Sequence, residues 1–324
     1  MRILKLIAAA LCAATLLTAC KSASLETMVE TSRENSRPES SPQISQGAPV
    51  SSTPEPIIQE PSPAPDYTAY EVYCVEENRI LIGENIYRKV APASLTKLLT
   101  ASVALKYCSA DEVVTVGTEL ELVQPESSLC LIKKGHRLTM YDLLTGLLLP
   151  SGNDAAYSIA VHVARKVSGI PELPDRAAVR VFCDLMNDFG EEIGLRNTHF
   201  VNPEGWDDPR HYTTASDLTK IAKYALSVPE IREIVATTKR DVTFVSGETI
   251  TWYNGNMLLW DDEDFYCPDA IGMKTGFTDN AGRCLIAAFE RSGKTYIITM
   301  LGCKDPEWRY NKVLELYRRL IVDN

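Results

Sequence analysis

The chain has 324 residues, 45% of them hydrophobic, with 33 basic and 43 acidic side chains and a net charge of −10. That is enough apolar material for one large domain or two small ones, and an acidic balance with no basic, aromatic-studded stripe speaks against nucleic acid as a partner. His136, His162, His199 and His211 stand at no metal-ligand spacing, and no Cys-x-x-Cys pair or His-Glu-x-x-His helix occurs, so neither metal nor cofactor is expected.

Residues 1–19 carry Arg2 and Lys5 and then an apolar run from Leu6 to Ala19. A charged start with a short apolar core reads as an export signal, too short for a comfortable membrane span. Its ending, Leu17-Thr-Ala-Cys20, resembles a bacterial lipobox, which implies cleavage before Cys20 and lipid on its thiol. An ordinary secretory signal with an incidental Cys20 is the plainer alternative. Residues 20–66 are rich in Ser, Pro and Glu and hold eight of the 18 prolines. Such a segment cannot bury enough surface to offset its ordering entropy, so a disordered tether is expected. About 45 residues of flexible chain would span roughly 40 Å. The folded domain is expected over 67–324.

Ala69 to Val75 alternates as a strand and Arg79 to Glu84 follows an acidic turn, which suggests a hairpin. Pro92-Ala-Ser94 opens a buried helical segment with Leu95, Leu98, Leu99, Val103 and Leu105. Thr139 to Asp142 looks like a capping box for a helix that Pro150 ends. Further helices read over Asp154 to Val167, over about 176–193 as far as Gly194, and after a Thr214 to Asp217 cap. Val242, Phe244, Ile250 and Trp252 alternate as strands, and Cys284–Glu290 and Thr295–Gly302 form a long hairpin. Tyr310, Val313, Leu314, Tyr317, Leu320 and Ile321 then recur at helical spacing. The order predicts an α+β domain: an antiparallel sheet built from both ends of the chain, a helical lobe inserted between, and a site in the groove where they meet. Seven cysteines, at 74, 108, 130, 183, 267, 284 and 303, fall mostly in apolar runs, and no pairing is predicted.

Three short motifs bear on chemistry. Ser94 and Lys97, one helical turn apart, could pair a nucleophilic hydroxyl with an amine base, if burial lowers the amine pKa. Ser151-Gly-Asn153 lies in the link between two apolar helices, 57 residues on. Lys274-Thr-Gly276 precedes the Cys284 strand, 180 residues after Ser94. Singly these are a common helical pair, an ordinary turn and an exposed strand; the set in this order and spacing is uncommon.

Ser-x-x-Lys, Ser-x-Asn and Lys-Thr-Gly together resemble the signatures of serine penicillin-recognising enzymes. The wording is most similar to the low-molecular-mass D-alanyl-D-alanine carboxypeptidases of peptidase family S11, through Ala91-Pro-Ala-Ser-Leu-Thr-Lys97, Leu147-Leu-Leu-Pro-Ser-Gly-Asn-Asp-Ala-Ala156, Phe200-Val-Asn-Pro-Glu-Gly205, His211-Tyr-Thr-Thr-Ala-Ser-Asp217 and Lys274-Thr-Gly-Phe-Thr278. The likeness spans about residues 67–322. It implies the β-lactamase/DD-peptidase-like fold and attack by Ser94 on the bond between the terminal D-alanines of a peptidoglycan stem peptide, with β-lactams as covalent inhibitors. It further implies that Lys97 takes the Ser94 proton and that Ser151 and Lys274 help pass it to the leaving amine. Ser94 and Phe277 N–H groups would form the oxyanion hole, Gly276 would let a substrate strand lie close, Asn153 would bond the penultimate amide, and Lys274 and Thr275 would take the terminal carboxylate.

Two departures stand out. Arg283 occupies a position where an uncharged residue is expected. Many such carboxypeptidases also carry a further β domain and an amphipathic C-terminal helix, whereas this chain stops 48 residues after Gly276; lipid on Cys20 would replace that anchor and hold the domain on the outer face of the cytoplasmic membrane, towards the wall. A β-lactamase would share all three motifs but needs a further base; the nearest match to its Glu-x-x-Leu-Asn is Glu192 to Arg196, at a helix end. A non-catalytic wall-associated lipoprotein would show neither penicillin labelling nor D-alanine release.

Overall fold

In the computed structural model of the chain, which describes residues 57–59 and 66–323, the strands lie towards the two ends and most helices between them. First come β1 (Ile57–Gln59), β2 (Ala69–Cys74) and β3 (Arg79–Glu84), then helix α1 (Lys97–Tyr107) and the short strands β4 (Val113–Thr115) and β5 (Arg137–Thr139). Five helices follow: α2 (Met140–Leu148), α3 (Asn153–Ser168), α4 (Asp175–Glu192), α5 (Ala215–Ser227) and α6 (Pro229–Ala236). The chain closes with β6 (Lys239–Thr243), β7 (Thr249–Tyr253), β8 (Ala270–Thr278), β9 (Gly282–Arg291), β10 (Lys294–Cys303) and helix α7 (Trp308–Tyr317).

Six strands form the main sheet in the order β1-β3-β2-β10-β9-β8, so its two chain ends meet where β2 pairs antiparallel with β10. All neighbours are antiparallel except β1, which runs parallel to β3. The tether expected over 20–66 thus contains three residues that join the sheet edge. The leader over 1–19, Cys20 and the remainder of that stretch up to 65 lie outside the described residues.

Alternation decides which layer each strand residue enters. Cys284, Ile286, Ala288, Ile297 and Leu301 face the helical layer, while Leu285, Ala287, Phe289, Ile298 and Met300 face α7. Phe289 stacks on Tyr317 with ring centroids 4.2 Å apart, and α7 also buries Tyr310, Val313 and Leu314. The helix starts follow from capping. Asp142 N–H donates to the Thr139 hydroxyl at 3.1 Å and Asp217 N–H to the Thr214 hydroxyl at 3.2 Å, each satisfying a donor that the first turn leaves free. Gly169 (φ 68°) ends α3 in the left-handed conformation that a glycine adopts without a Cβ clash. No helix among the described residues is long and apolar enough to cross a membrane. All seven described cysteines are buried and unpaired.

Candidate active site

Ser94 does not sit in the helix proper. It lies in a 3-10 turn over Ala93–Thr96 that leads into α1. The turn is entered through Ala93 at φ 49°, a left-handed conformation that costs a non-glycine residue about 1–3 kcal/mol and persists only where the surroundings hold it. Thr96 supplies part of that hold. Its hydroxyl donates to the Ala93 carbonyl at 2.9 Å and lies 3.0 Å from His211 Nε2. Because Val201 N–H donates to His211 Nδ1, the proton of the neutral ring is on Nε2, which donates to Thr96. Burial keeps that imidazole neutral, with its pKa pushed down to about 3.

Lys97 is wholly buried, and its Nζ donates to Ser94 Oγ at 2.8 Å and to the Glu204 carbonyl at 2.9 Å. Desolvation pushes the ammonium pKa down to about 7, against the opposing pull of the Glu204 and Asp154 carboxylates. The Glu204 carboxyl is buried too; Tyr157 donates to its Oε1 at 3.0 Å while Oε2 has no partner, and burial raises its pKa against the attraction of Lys97. The loop bearing Glu204 is fixed by the Thr100 hydroxyl on the Pro203 carbonyl at 2.6 Å and by Asn202 Oδ1, which accepts from Gly205 N–H at 2.8 Å.

The second motif forms the opposite wall. Ser151 stands at φ 65° between α2 and α3, with its hydroxyl buried and unpartnered, and Asn153 opens α3. Gly152 is required there, since a Cβ would sit 2.9 Å from Cys130 N. The segment carrying Cys130 is clamped down by Asp154, whose carboxylate accepts from the N–H groups of Cys130 at 2.9 Å and Ile132 at 3.2 Å. Trp252 Nε1 adds a bond to the Cys130 carbonyl at 2.8 Å.

The third motif is on β8, the outermost strand on this side of the sheet. Gly276 packs against the Ser94 turn so tightly that a Cβ would meet Ala93 Cβ and Ser94 N at 3.1 Å each. Lys274, two residues earlier on the same side, is buried, and its Nζ donates to the Thr275 carbonyl at 3.1 Å. Desolvation first, then the nearby Lys97 and Arg309, holds its pKa well below the ordinary lysine range.

These elements enclose a cleft of about 310 Å³ lined by Ser94, Ser151, Asn153, Thr275, Gly276 and Phe277 among others. Lys97 and Lys274 are buried beside it, so the residues of the three motifs converge on one place. Cys20 lies outside the described residues. Glu192, the nearest match to a β-lactamase base, is on the surface paired with Lys106 and is absent from the cleft lining.

Sequence reasoning missed two residues of the cleft. Glu204 was noted only within a run of the resemblance. Arg309, on α7, lines the cleft with its Nε buried and unpartnered and one Nη donating to the Cys284 carbonyl at 3.2 Å. Arg283, the departure from pattern, is no free charge at a strand position: its guanidinium lies 3.8 Å over the Phe277 ring and both line the cleft.

Comparison with known proteins agrees with this geometry. A family model described as Peptidase S11, D-alanyl-D-alanine carboxypeptidase, matches residues 59–305. The D-alanyl-D-alanine carboxypeptidase DacC of Escherichia coli is 30% identical over 275 residues, covering 82% of this chain and 63% of that protein. The D-alanyl-D-alanine carboxypeptidase of Streptomyces sp. K15 is 36% identical over 236 residues, covering 68% of this chain and 77% of that one. The crystal structure of the Streptomyces K15 DD-transpeptidase superposes with a TM-score of 0.71 at 30% identity, over 80% of this chain and 98% of that one. Penicillin-binding protein D2 of Listeria monocytogenes, solved in its ampicillin-bound form, gives 0.63 at 27% identity over 80% and 98%. The chain spans about three-fifths of the length of the first few curated relatives it matches. With the family model covering most of its length, and the fold and cleft agreeing with that match, the chain belongs to the S11 peptidases, the D-alanyl-D-alanine carboxypeptidase family.

Proposed function

We propose that the protein is a serine D-alanyl-D-alanine carboxypeptidase that removes the terminal D-alanine of peptidoglycan stem peptides through an acyl-enzyme on Ser94. The observation that carries this reading is the 2.8 Å contact between the Lys97 amine and the Ser94 hydroxyl, made by a lysine whose burial brings its pKa to about 7. A neutral Lys97 takes the Ser94 proton as the hydroxyl attacks the scissile carbonyl. The Ser94 and Phe277 N–H groups receive the oxyanion, a contribution of about 3–4 kcal/mol per donor in comparable sites. The proton passes through Ser151, with Lys274 beside it, to the leaving D-alanine nitrogen. Water then releases the shortened peptide. Asn153 bonds the penultimate amide, and the peptide lies along the β8 edge against Gly276. The terminal carboxylate falls to Thr275 and Lys274, with the Arg309 guanidinium, whose Nε is unpartnered, as a third partner.

Penicillin treatment followed by mass spectrometry of the intact protein tests the assignment. A stoichiometric, long-lived adduct that Ser94→Ala abolishes is expected; an adduct elsewhere, or none, overturns it. Rapid turnover of penicillin would indicate a β-lactamase, a reading that the surface position of Glu192 disfavours.

Export and lipidation of Cys20 are proposed with it, supported by the apolar leader and by Leu17-Thr-Ala-Cys20. Such an anchor would hold the domain outside the cytoplasmic membrane, facing the wall. Metabolic labelling with a tagged fatty acid should mark the wild-type protein and leave Cys20→Ser unlabelled.

A further inference from the structure

We propose that Cys108, Glu112 and His162 form a binding site for a zinc-type divalent cation that clamps α1 to α3, further along these helices than the motif residues at their starts. Cys108 and Glu112 are four residues apart, and the fold brings His162, on another helix 50 residues beyond Glu112, up to them. Cys108 is the residue that ends α1, Glu112 is in the following loop, and His162 is on α3. One ligand atom from each, the thiol sulfur, a carboxylate oxygen and an imidazole nitrogen, lies within 4.8 Å of the other two.

A tetrahedral zinc ion with sulfur at about 2.3 Å and nitrogen or oxygen at about 2.0–2.2 Å places its ligands roughly 3.3–3.6 Å apart. With its ligand atoms within 4.8 Å of one another, the present cluster reaches that spacing by side-chain shifts of about 1 Å. His162 Nε2 and Glu112 Oε1 are already 2.8 Å apart, and an ion entering between them would replace that hydrogen bond. Glu112 Oε2 is held separately by the Lys166 ammonium, the kind of outer partner that orients a ligating carboxylate. A surface ion-pair cluster would need only Glu112, His162 and Lys166. The buried thiol beside them is what makes the set a mixed sulfur, nitrogen and oxygen site, which suits zinc-type ions rather than magnesium or calcium.

Entry and charge balance are both available. The Glu112 and His162 side chains retain 23% and 25% of their exposure, so an ion reaches the site from solvent. On coordination the Cys108 S–H bond breaks, its proton goes to water and the sulfur–metal bond forms, while His162 binds as the neutral ring. Water takes the fourth position. The arrangement also gives the cluster a role. α1 carries Lys97 at its start and Cys108 at its end; α3 carries Asn153 at its start and His162 in its third turn. An ion joining Cys108 to His162 fixes the pair of helices that bring the first two motifs together, in a domain whose described cysteines form no disulfide.

Cobalt(II) titration of the folded chain in metal-free buffer reads this directly. One equivalent should bind with a thiolate-to-cobalt charge-transfer band and visible bands of tetrahedral intensity, and zinc should displace it. Cys108→Ser should remove the charge-transfer band. His162→Gln should weaken binding at least tenfold. Zinc should raise the melting temperature of the wild-type chain and leave that of Cys108→Ser unchanged. No charge-transfer band in the wild type, or a band that persists at full affinity in His162→Gln, overturns the proposal. Since His162 is partly exposed, that variant decides the question even if Cys108→Ser folds poorly.

Discussion

Gly205 lies so close to Ala93 that a Cβ on it would sit 1.8 Å from the Ala93 carbonyl oxygen and 2.9 Å from the Thr96 hydroxyl. Its φ of 97° adds a second objection to any side chain there. Contact with this glycine therefore helps set the turn that presents Ser94. Gly205→Ala must push the loop and the turn apart. A stability loss of at least about 2 kcal/mol is expected, lowering the melting temperature by roughly 4–8 °C for a domain of this size. Penicillin acylation of the remaining folded protein should slow as well. Calorimetry and stopped-flow acylation check the two effects, and an unchanged acylation rate would show that the contact does not position Ser94.

The depressed pKa of Lys97 sets the pH dependence of acylation. The amine must be neutral to accept the Ser94 proton, so the acylation rate should rise with pH through about 7 and level off above it. Glu204 pulls that pKa upward, so Glu204→Gln should shift the midpoint to lower pH. Lys97→Arg, which cannot deprotonate, should cost about 10²–10⁴ in acylation rate. The same shift appears in stability. Between the folded value near 7 and the ordinary value of 10.5, the unfolded chain binds more protons than the folded one. This group's contribution therefore rises with pH across that window. Lys97→Met should remove that rise, which urea unfolding at several pH values measures.

Much of this site was legible in the sequence because its central groups are local. Ser94 and Lys97 are one turn apart, and Lys274 and Gly276 alternate on one strand, so spacing alone places each pair on a shared side. Capping residues marked the starts of α2 and α5 for the same reason. What stayed hidden depends on contacts between distant segments. Glu204 reaches Lys97 across 107 residues and Arg309 comes from α7, and neither has a local neighbour that distinguishes it from a solvated charge. Arg283 looked anomalous because the strand pattern does not show the Phe277 ring opposite it. The parallel pairing of Ile57–Gln59 was hidden by the proline- and serine-rich stretch around it.

His211 links the site to acid sensitivity. Its ring is buried and neutral, with a pKa near 3 against an ordinary 6.5. As pH falls below about 6.5 the unfolded chain takes up a proton that the folded one refuses, so stability drops progressively until about 3. His211→Gln carries no titrating ring and should flatten part of that loss, even if it starts less stable at neutral pH. The difference between wild-type and variant urea midpoints, compared at neutral and mildly acidic pH, isolates the contribution. Parallel curves for the two proteins would show that His211 is not the group responsible.

Arg309 should govern recognition of a terminal carboxylate. Burial and the neighbouring cations push Lys274 towards its neutral form, and the Arg309 guanidinium lines the same cleft. Its unpartnered Nε is a buried donor awaiting an acceptor. A charge-assisted hydrogen bond is worth about 1.5–3 kcal/mol. Arg309→Gln should therefore lower kcat/KM for a peptide ending in D-Ala-D-Ala by roughly 10- to 150-fold, mostly through KM. The same peptide with its terminus amidated should be a poor substrate for the wild type and lose little further in the variant. Because Arg309 also bonds the Cys284 carbonyl, melting temperatures must accompany the kinetics. Equal losses on the acid and amide substrates would assign the residue to holding α7 against β9 rather than to reading the carboxylate.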